Sequence, residues 1–174
     1  MEILAQGIGF VGLLCNVALF QLNKRSHMLW MKILASIFFF IHYILLSAAT
    51  GALMNVVAGV RTYIFKQRTK ESWANNKLWL YFFVAVVWVF VLITWNGPVS
   101  LLPGIGMTLG TYAFWSKAPR AIRILNILAT PCWFTYSFFV GSYAGMASDT
   151  ITFISILTGI IRFDILKKKE SAIA

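Results

Sequence analysis

The chain has 174 residues, of which 60% are apolar and 11% charged, and its formal net charge is +10 at pH 7. Soluble domains usually carry about 25% charged residues, so this composition excludes an ordinary soluble domain and predicts a membrane protein. The excess of positive charge indicates basic cytoplasmic loops and contact with anionic lipid headgroups, and not a nucleic-acid-binding face.

Seven hydrophobic runs follow one another along the chain, each close to the length that crosses about 30 Å of hydrocarbon. They cover residues 3–22, 28–47, 50–65, 78–94, 97–115, 122–140 and 143–166. The third run is short and contains Arg61, so hydropathy alone allows six spans as well as seven. The first run follows Glu2 and has no basic segment before it, which favours a retained helix over a cleaved signal peptide.

The basic residues decide between six spans and seven. They gather at alternate gaps between the runs: Lys24, Arg25 and Lys32 at the first, Lys66, Arg68, Lys70 and Lys77 at the third, Lys117, Arg120 and Arg123 at the fifth, and Lys167, Lys168 and Lys169 after the seventh. Seven spans with the N-terminus outside place all of these residues on the cytoplasmic side, where short loops hold an excess of Lys and Arg. The sequence therefore predicts a periplasmic N-terminus and a cytoplasmic C-terminus.

The two ends of the chain repeat one pattern of glycines and basic residues. Gly7-Ile8-Gly9 opens the first copy and Gly104-Ile105-Gly106 the second, and such small residues let helices pack closely. Because each copy has three helices, one extra crossing is needed between them. The predicted fold is an all-α polytopic membrane protein with seven transmembrane helices in a 3+1+3 parallel repeat. We divide it into a first three-helix repeat (1–70), a linker helix (71–96), a second three-helix repeat (97–166) and a basic cytoplasmic tail (167–174).

Several short motifs resemble those of one family. They are Ala5-Gln6-Gly7-Ile8-Gly9, His42, Pro98-Val99-Ser100-Leu101-Leu102-Pro103, Cys132-Trp133 and Ile160-Ile161-Arg162-Phe163. With them the chain resembles the bacterial YgjV-type inner membrane protein family over nearly its whole length. The resemblance implies an inner membrane location and an architecture similar to that of SWEET, PQ-loop and PnuC-type transporters. Phe20-Gln21 and Trp115-Ser116 stand where PQ-loop proteins carry Pro-Gln. The sugar-contacting asparagines of SWEET proteins have at best Asn55 and Asp149 as counterparts here, so the resemblance does not imply a sugar as the solute.

Polar side chains fall in one predicted layer, five or six residues from the outer ends of their helices. They are His42, Asn55, Tyr136 and Asp149, and Trp133 lies one turn deeper. Spacing from Gly51 and Gly145 pairs His42 with Tyr136 and Asn55 with Asp149. Since polar groups inside a membrane usually face the bundle interior or a wet cavity, we predict a substrate-binding or proton-coupling site formed by these five. Alternatively, Asp149 is hydrated near the interface and His42 is hydrogen-bonded to a backbone carbonyl.

Two arginines and two prolines complete the candidate residues. Arg61 and Arg162 lie near the predicted cytoplasmic ends of the third and seventh helices, where they either form an inner gate or extend to lipid headgroups. Pro103 and Pro131 are candidate hinges. Pro131 removes a backbone hydrogen bond within the sixth helix, and a static kink is the alternative.

These features predict a transporter that moves a small polar solute by alternating access, either by facilitated diffusion or linked to protons. The rival interpretation is a non-transporting receptor or scaffold on the same fold. The sequence has no Ser/His/Asp set, metal-ligand cluster or pair of intramembrane carboxylates with a spacing that suits catalysis, so we expect no enzymatic activity, cofactor or metal. The expected partners are the solute and anionic membrane lipids, without nucleic acid, and a homo-oligomer is compatible with this fold.

Overall fold

The computed structural model describes residues 2–45, 49–93, 95, 97–139 and 143–166. The described ranges contain seven α-helices: α1 (Glu2–Phe20), α2 (Arg25–Leu45), α3 (Ala49–Gln67), α4 (Leu78–Ile93), α5 (Leu101–Trp115), α6 (Pro119–Phe139) and α7 (Tyr143–Gly159). Short 3-10 helices at Trp73–Asn75 and Pro98–Ser100 precede α4 and α5, and a π-helical segment, Ile160–Leu166, extends α7. Each predicted hydrophobic run overlaps one α-helix, so the all-α class and the number of α-helices are confirmed.

The α-helices are of moderate length. They range from 15 residues in α5 to 21 residues in α2 and α6, which corresponds to about 22 to 32 Å at the usual rise per residue. No helix in the described ranges combines the length and the apolar character needed to cross a membrane. Crossing of the bilayer stays a prediction of the sequence.

The helices are grouped in two compact units, unit 1 (Met1–Asn76) and unit 2 (Lys77–Ala174). In unit 1, α2 packs against both α1 and α3; in unit 2, α4 packs against α5, α5 against α6, and α6 against α7. The buried residues of α4 recur every three or four positions and form one stripe: Leu80, Phe83, Val87 and Val91. Helix α4, predicted as a separate linker, is thus grouped by its contacts with the second unit.

Glycines and prolines set two helix starts. Gly97, with φ of 86°, precedes the 3-10 turn that leads into α5, and glycine adopts this positive φ without the strain of a Cβ. Helix α6 begins at Pro119, three residues before the predicted run, because a proline suits the first turn of a helix. As a result, Arg123, which the sequence counted with the basic residues of the fifth gap, lies more than one turn inside α6.

Close helix packing is confirmed for three of the four glycines of the repeated pattern, Gly9, Gly104 and Gly106, and Gly12, on the same helix as Gly9, packs in the same way. A Cβ added to Gly12 would meet Phe39 at 3.1 Å, and one added to Gly104 would meet Val91 at 3.0 Å. Gly9 and Gly106 are tighter still, at 2.7 Å from a ring nitrogen in each case. Gly7 and Gly110 have nothing within 4 Å of an added Cβ.

Candidate functional site

His42 lies near the end of α2 and faces α1. Its Nδ1 is 2.8 Å from the carbonyl oxygen of Ala5, so Nδ1 donates in this contact. The Phe39 ring meets the imidazole edge-on at a centroid distance of 6.3 Å. A Cβ on Gly9 would lie 2.7 Å from the same Nδ1, so the glycine gives the imidazole room. The sequence offered this backbone-carbonyl contact as the alternative for His42, and a part in solute or proton binding stays a prediction.

Trp133 of α6 makes a corresponding contact in unit 2. A Cβ on Gly106 of α5 would lie 2.7 Å from the indole Nε1 of Trp133. The Trp133 and Tyr136 rings are in edge-to-face contact, with centroids 6.5 Å apart. By this geometry the counterpart of His42 is Trp133, whereas spacing in the sequence paired His42 with Tyr136.

The five residues of the predicted outer site are divided between the two units. His42 and Asn55 belong to unit 1, and Trp133, Tyr136 and Asp149 belong to unit 2. All five side chains are half-buried. The structure brings Trp133 and Tyr136 together, and a site that combines all five residues stays a prediction.

The candidate gate and hinge residues differ in their surroundings. Arg61 is 1% exposed, whereas Arg162 is exposed and its guanidinium lies 5.0 Å from the centre of the Phe163 ring. Pro131 lies inside α6, which continues past it to Phe139. Pro103 lies in the first turn of α5, where a helix tolerates a residue without an N–H.

Four polar side chains in unit 1 form a group that we call the Lys32 cluster: Asn16 of α1, Lys32 and Ser36 of α2, and Arg61 of α3. The Lys32 Nζ donates a hydrogen bond of 3.3 Å to Oδ1 of Asn16. Lys32 is close enough to Arg61 for the two positive charges to repel each other. Ser36 lies one turn after Lys32 on the same face of α2, and it is 2% exposed.

Sequence reasoning missed this cluster. It counted Lys32 with the basic residues of the first gap and did not consider Ser36. The signal was present, since Lys32 and Ser36 are four residues apart inside the second hydrophobic run and Arg61 lies inside the third.

A second group of basic side chains in unit 1 includes Arg25 and Arg68, near the start of α2 and the end of α3. Arg25 Nη2 donates a 2.8 Å hydrogen bond to the carbonyl oxygen of Phe65 near the end of α3. Arg68 Nε donates to Oδ1 of Asn75 at 2.9 Å. Burial, and secondarily the charge of Arg68, lower the pKa of the Arg25 guanidinium to about 10. Arg25 therefore stays charged at neutral pH. Its positive charge is favourable at the C-terminal end of α3, where the last carbonyl groups lack partners within the helix.

In unit 2, Arg123 of α6 forms a salt bridge with Asp164 of the π-helical segment. The two bonds join Nε to Oδ2 at 2.9 Å and Nη2 to Oδ1 at 2.7 Å. The sequence instead counted Arg123 with the basic residues of the fifth gap. The fork geometry of arginine matches a carboxylate, so this pair is well oriented as well as charged.

The charges of unit 1 favour binding of an anion. From Ile3 to Lys70 the sequence has no Asp or Glu, while it contains seven Lys and Arg residues. In the described part of the chain, no three His, Cys, Asp or Glu side chains are grouped as a metal site would require.

Comparisons with known proteins cover almost the whole chain. The family model Imp-YgjV, described as bacterial inner membrane protein, matches residues 3–167. The "Inner membrane protein YgjV" of Escherichia coli (strain K12) is 25% identical over 167 residues, which cover 95% of this chain and 87% of that protein. No solved structure matches the chain.

Proposed function

The chain belongs to the Imp-YgjV family of bacterial inner membrane proteins, and from this premise we propose that it transports a small polar solute across that membrane by alternating access. In this proposal the seven helices cross the bilayer as a 3+1+3 parallel repeat similar to that of SWEET proteins. The N-terminus is periplasmic and the C-terminus cytoplasmic. The proposal includes no catalytic step.

The observation that carries the proposal is the distribution of side chains around α2. Its exposed face is an apolar stripe at helical spacing: Trp30, Leu34, Ile37, Ile41 and Ile44. Its inner face, which packs against α1 and α3, carries Lys32, Ser36 and His42. A helix of a soluble protein has the reverse arrangement. An apolar outer face with polar groups turned inward suits a helix that meets lipid outside and a polar path inside.

The end of the chain has the same distribution. Ile151, Ile154, Leu157, Ile161 and Ile165 are exposed along α7 and its π-helical extension, while Asp164 turns to the buried Arg123. Ionisable residues inside membrane proteins commonly mark substrate or proton pathways. This supports a transport role over that of a scaffold, whose interior has no need of charged groups.

Uptake into proteoliposomes tests the proposal. Purified protein is first screened by thermal shift against sugars, vitamins, amino acids and organic ions, and each hit is then supplied to proteoliposomes across an imposed pH gradient. We expect uptake of at least one hit above that of protein-free vesicles, and we expect Asp149→Asn to reduce it. Stabilising hits that are never taken up, or no hit at all, would instead favour the receptor or scaffold.

Matched control variants distinguish a role of His42 and Asp149 in transport from a general loss of folded protein. Ile41→Ala and Thr150→Ala change exposed neighbours of His42 and Asp149, and both should keep wild-type uptake. His42→Gln keeps a donor for the Ala5 carbonyl but does not titrate, so it should slow proton-linked uptake, whereas His42→Ala also removes the contact with α1. Undiminished uptake in both His42→Ala and Asp149→Asn would remove these two residues from the proposed pathway.

A further inference from the structure

We propose that the Lys32 cluster is a binding site for the oxyanion group of a small ligand, either a carboxylate or a phosphate. Only the statement that this ligand is the transported solute rests on the proposed function. The binding itself rests on the charges, burial and hydrogen bonding of Lys32, Ser36 and Arg61.

The first argument is charge. Lys32 and the 1% exposed Arg61 lie close enough to repel each other, and buried like charges destabilise a fold unless a counter-charge accompanies them. Asn16 binds Lys32 with a neutral oxygen, which leaves the positive charge in place. Since α1 after Glu2, all of α2 and all of α3 lack acidic residues, these helices offer Lys32 no carboxylate, and a bound anion would supply a counter-charge beside it.

The second argument is the hydroxyl of Ser36. Buried threonines in the same protein satisfy their hydroxyls with the carbonyl one turn back, as Thr62 does with Ala58 and Thr130 with Asn126. The Ser36 Oγ has no hydrogen-bond partner although the side chain is 2% exposed. A buried hydroxyl without a partner is costly, so its presence beside Lys32 is explained if it donates to a ligand.

The third argument comes from unit 2. Ten residues separate Lys32 from His42 on α2, and ten separate Arg123 from Trp133 on α6. His42 and Trp133 each lie against a glycine of the preceding helix, so Lys32 and Arg123 hold corresponding positions in their units. Arg123 binds the carboxylate of Asp164. In unit 2, the Asp164 carboxylate thus occupies the position that corresponds to the proposed ligand site of unit 1.

Isothermal titration of the full-length protein in an uncharged detergent tests this site. The probes are sodium phosphate and sodium acetate, each added at constant ionic strength in chloride buffer. We expect the wild type to bind at least one of them. Ser36→Ala should weaken that binding about tenfold, because it loses one charge-assisted hydrogen bond. Lys32→Met should abolish the binding. Lys24→Met and Ser26→Ala, which change exposed residues on the same side of unit 1, should bind as the wild type does.

The unfolding midpoint of Ser36→Ala separates binding from a structural role. Removing a buried hydroxyl that has no partner should raise the midpoint in chloride buffer, while the same variant binds the anion less tightly. A residue that only supported the fold would lower both together. Because Ser36→Ala keeps both cations and a small side chain, it tests the site even where Lys32→Met does not fold.

Vesicles of defined composition identify the source of the oxyanion. The titration is repeated with the protein in phosphatidylcholine, with and without phosphatidylglycerol. If phosphatidylglycerol competes with the soluble probes in the wild type, and competes less well in Ser36→Ala, the site binds a lipid headgroup. If free phosphate or acetate binds without such competition, the site binds a soluble ligand. The proposal is overturned if the wild type binds neither probe and shows no phosphatidylglycerol effect, or if all variants bind alike. Binding without uptake would contradict the transport proposal and leave this site standing.

Discussion

Arg123 and Asp164 are joined by two hydrogen bonds, Nε to Oδ2 at 2.9 Å and Nη2 to Oδ1 at 2.7 Å. The arginine side chain is 0% exposed and the aspartate 8%. Since Asp164→Ala leaves the guanidinium buried without its carboxylate, we expect it to lower the free energy of unfolding by about 3–5 kcal/mol. Denaturant unfolding of the purified protein in detergent measures this loss.

Two further variants check that the loss comes from the buried charge. Arg162→Gln changes an exposed residue of the same π-helical segment and should alter the free energy of unfolding by less than about 0.5 kcal/mol. The double variant Arg123→Leu with Asp164→Leu should recover much of the stability, because it removes both charges together. If Asp164→Ala were as mild as Arg162→Gln, the ion pair would have no part in holding α6 to the end of the chain.

Gly9→Ala should destabilise unit 1, and Gly7→Ala should not. The new methyl at Gly9 would lie 2.7 Å from His42 Nδ1, which is held by the Ala5 carbonyl, so we expect a loss of about 1–3 kcal/mol from overpacking. Gly7 has nothing within 4 Å, and alanine there should be neutral or stabilising by up to about 1 kcal/mol through its better helix propensity. Thermal unfolding of the two variants side by side tests the contact, and equal midpoints would contradict it.

The same comparison applies to unit 2 with Gly106 and Gly110. A methyl at Gly106 would meet Trp133 Nε1 at 2.7 Å and the Ala129 carbonyl oxygen at 3.4 Å, whereas Gly110 has nothing within 4 Å. We expect Gly106→Ala to cost about 1–3 kcal/mol and to change the tryptophan fluorescence of the folded protein. Gly110→Ala should leave the fluorescence unchanged and be neutral or stabilising by up to about 1 kcal/mol. A fluorescence change of the same size in both variants would argue against close packing of Trp133 on α5.

The number and order of the helices could be predicted because long apolar runs separated by charged gaps leave few other structures. Helix boundaries were harder to predict. The first turn of α6 reaches back to Pro119, since a proline costs nothing in a first turn, and no count of apolar residues detects this. The shift matters because it places Arg123, counted with the basic residues of the gap, a full turn inside the helix and on its buried face.

The candidate site was harder to predict for a physical reason. Lys and Arg residues can indicate either the cytoplasmic side of a membrane protein or, as proposed for the Lys32 cluster, a binding site, and burial distinguishes the two. Lys24 is exposed, whereas Lys32 bonds to Asn16 and Arg61 is 1% exposed. Ser36, which distinguishes the cluster, could not be identified from the sequence, because a buried serine hydroxyl normally donates to the carbonyl oxygen one turn back in its helix.

The predicted orientation can be tested with reporter fusions at two positions. Alkaline phosphatase needs disulfides that form in the periplasm, so we expect it to be inactive when fused after residue 166 and active when fused after residue 95, between α4 and α5. Green fluorescent protein at the same two positions is the matched control and should give the opposite pattern. The physical reason for this expectation is the cluster of Lys167, Lys168 and Lys169, since an excess of lysines favours the cytoplasmic side. An active phosphatase after residue 166 would contradict the predicted cytoplasmic C-terminus and, if the N-terminus is outside, the seven-span count that includes α3.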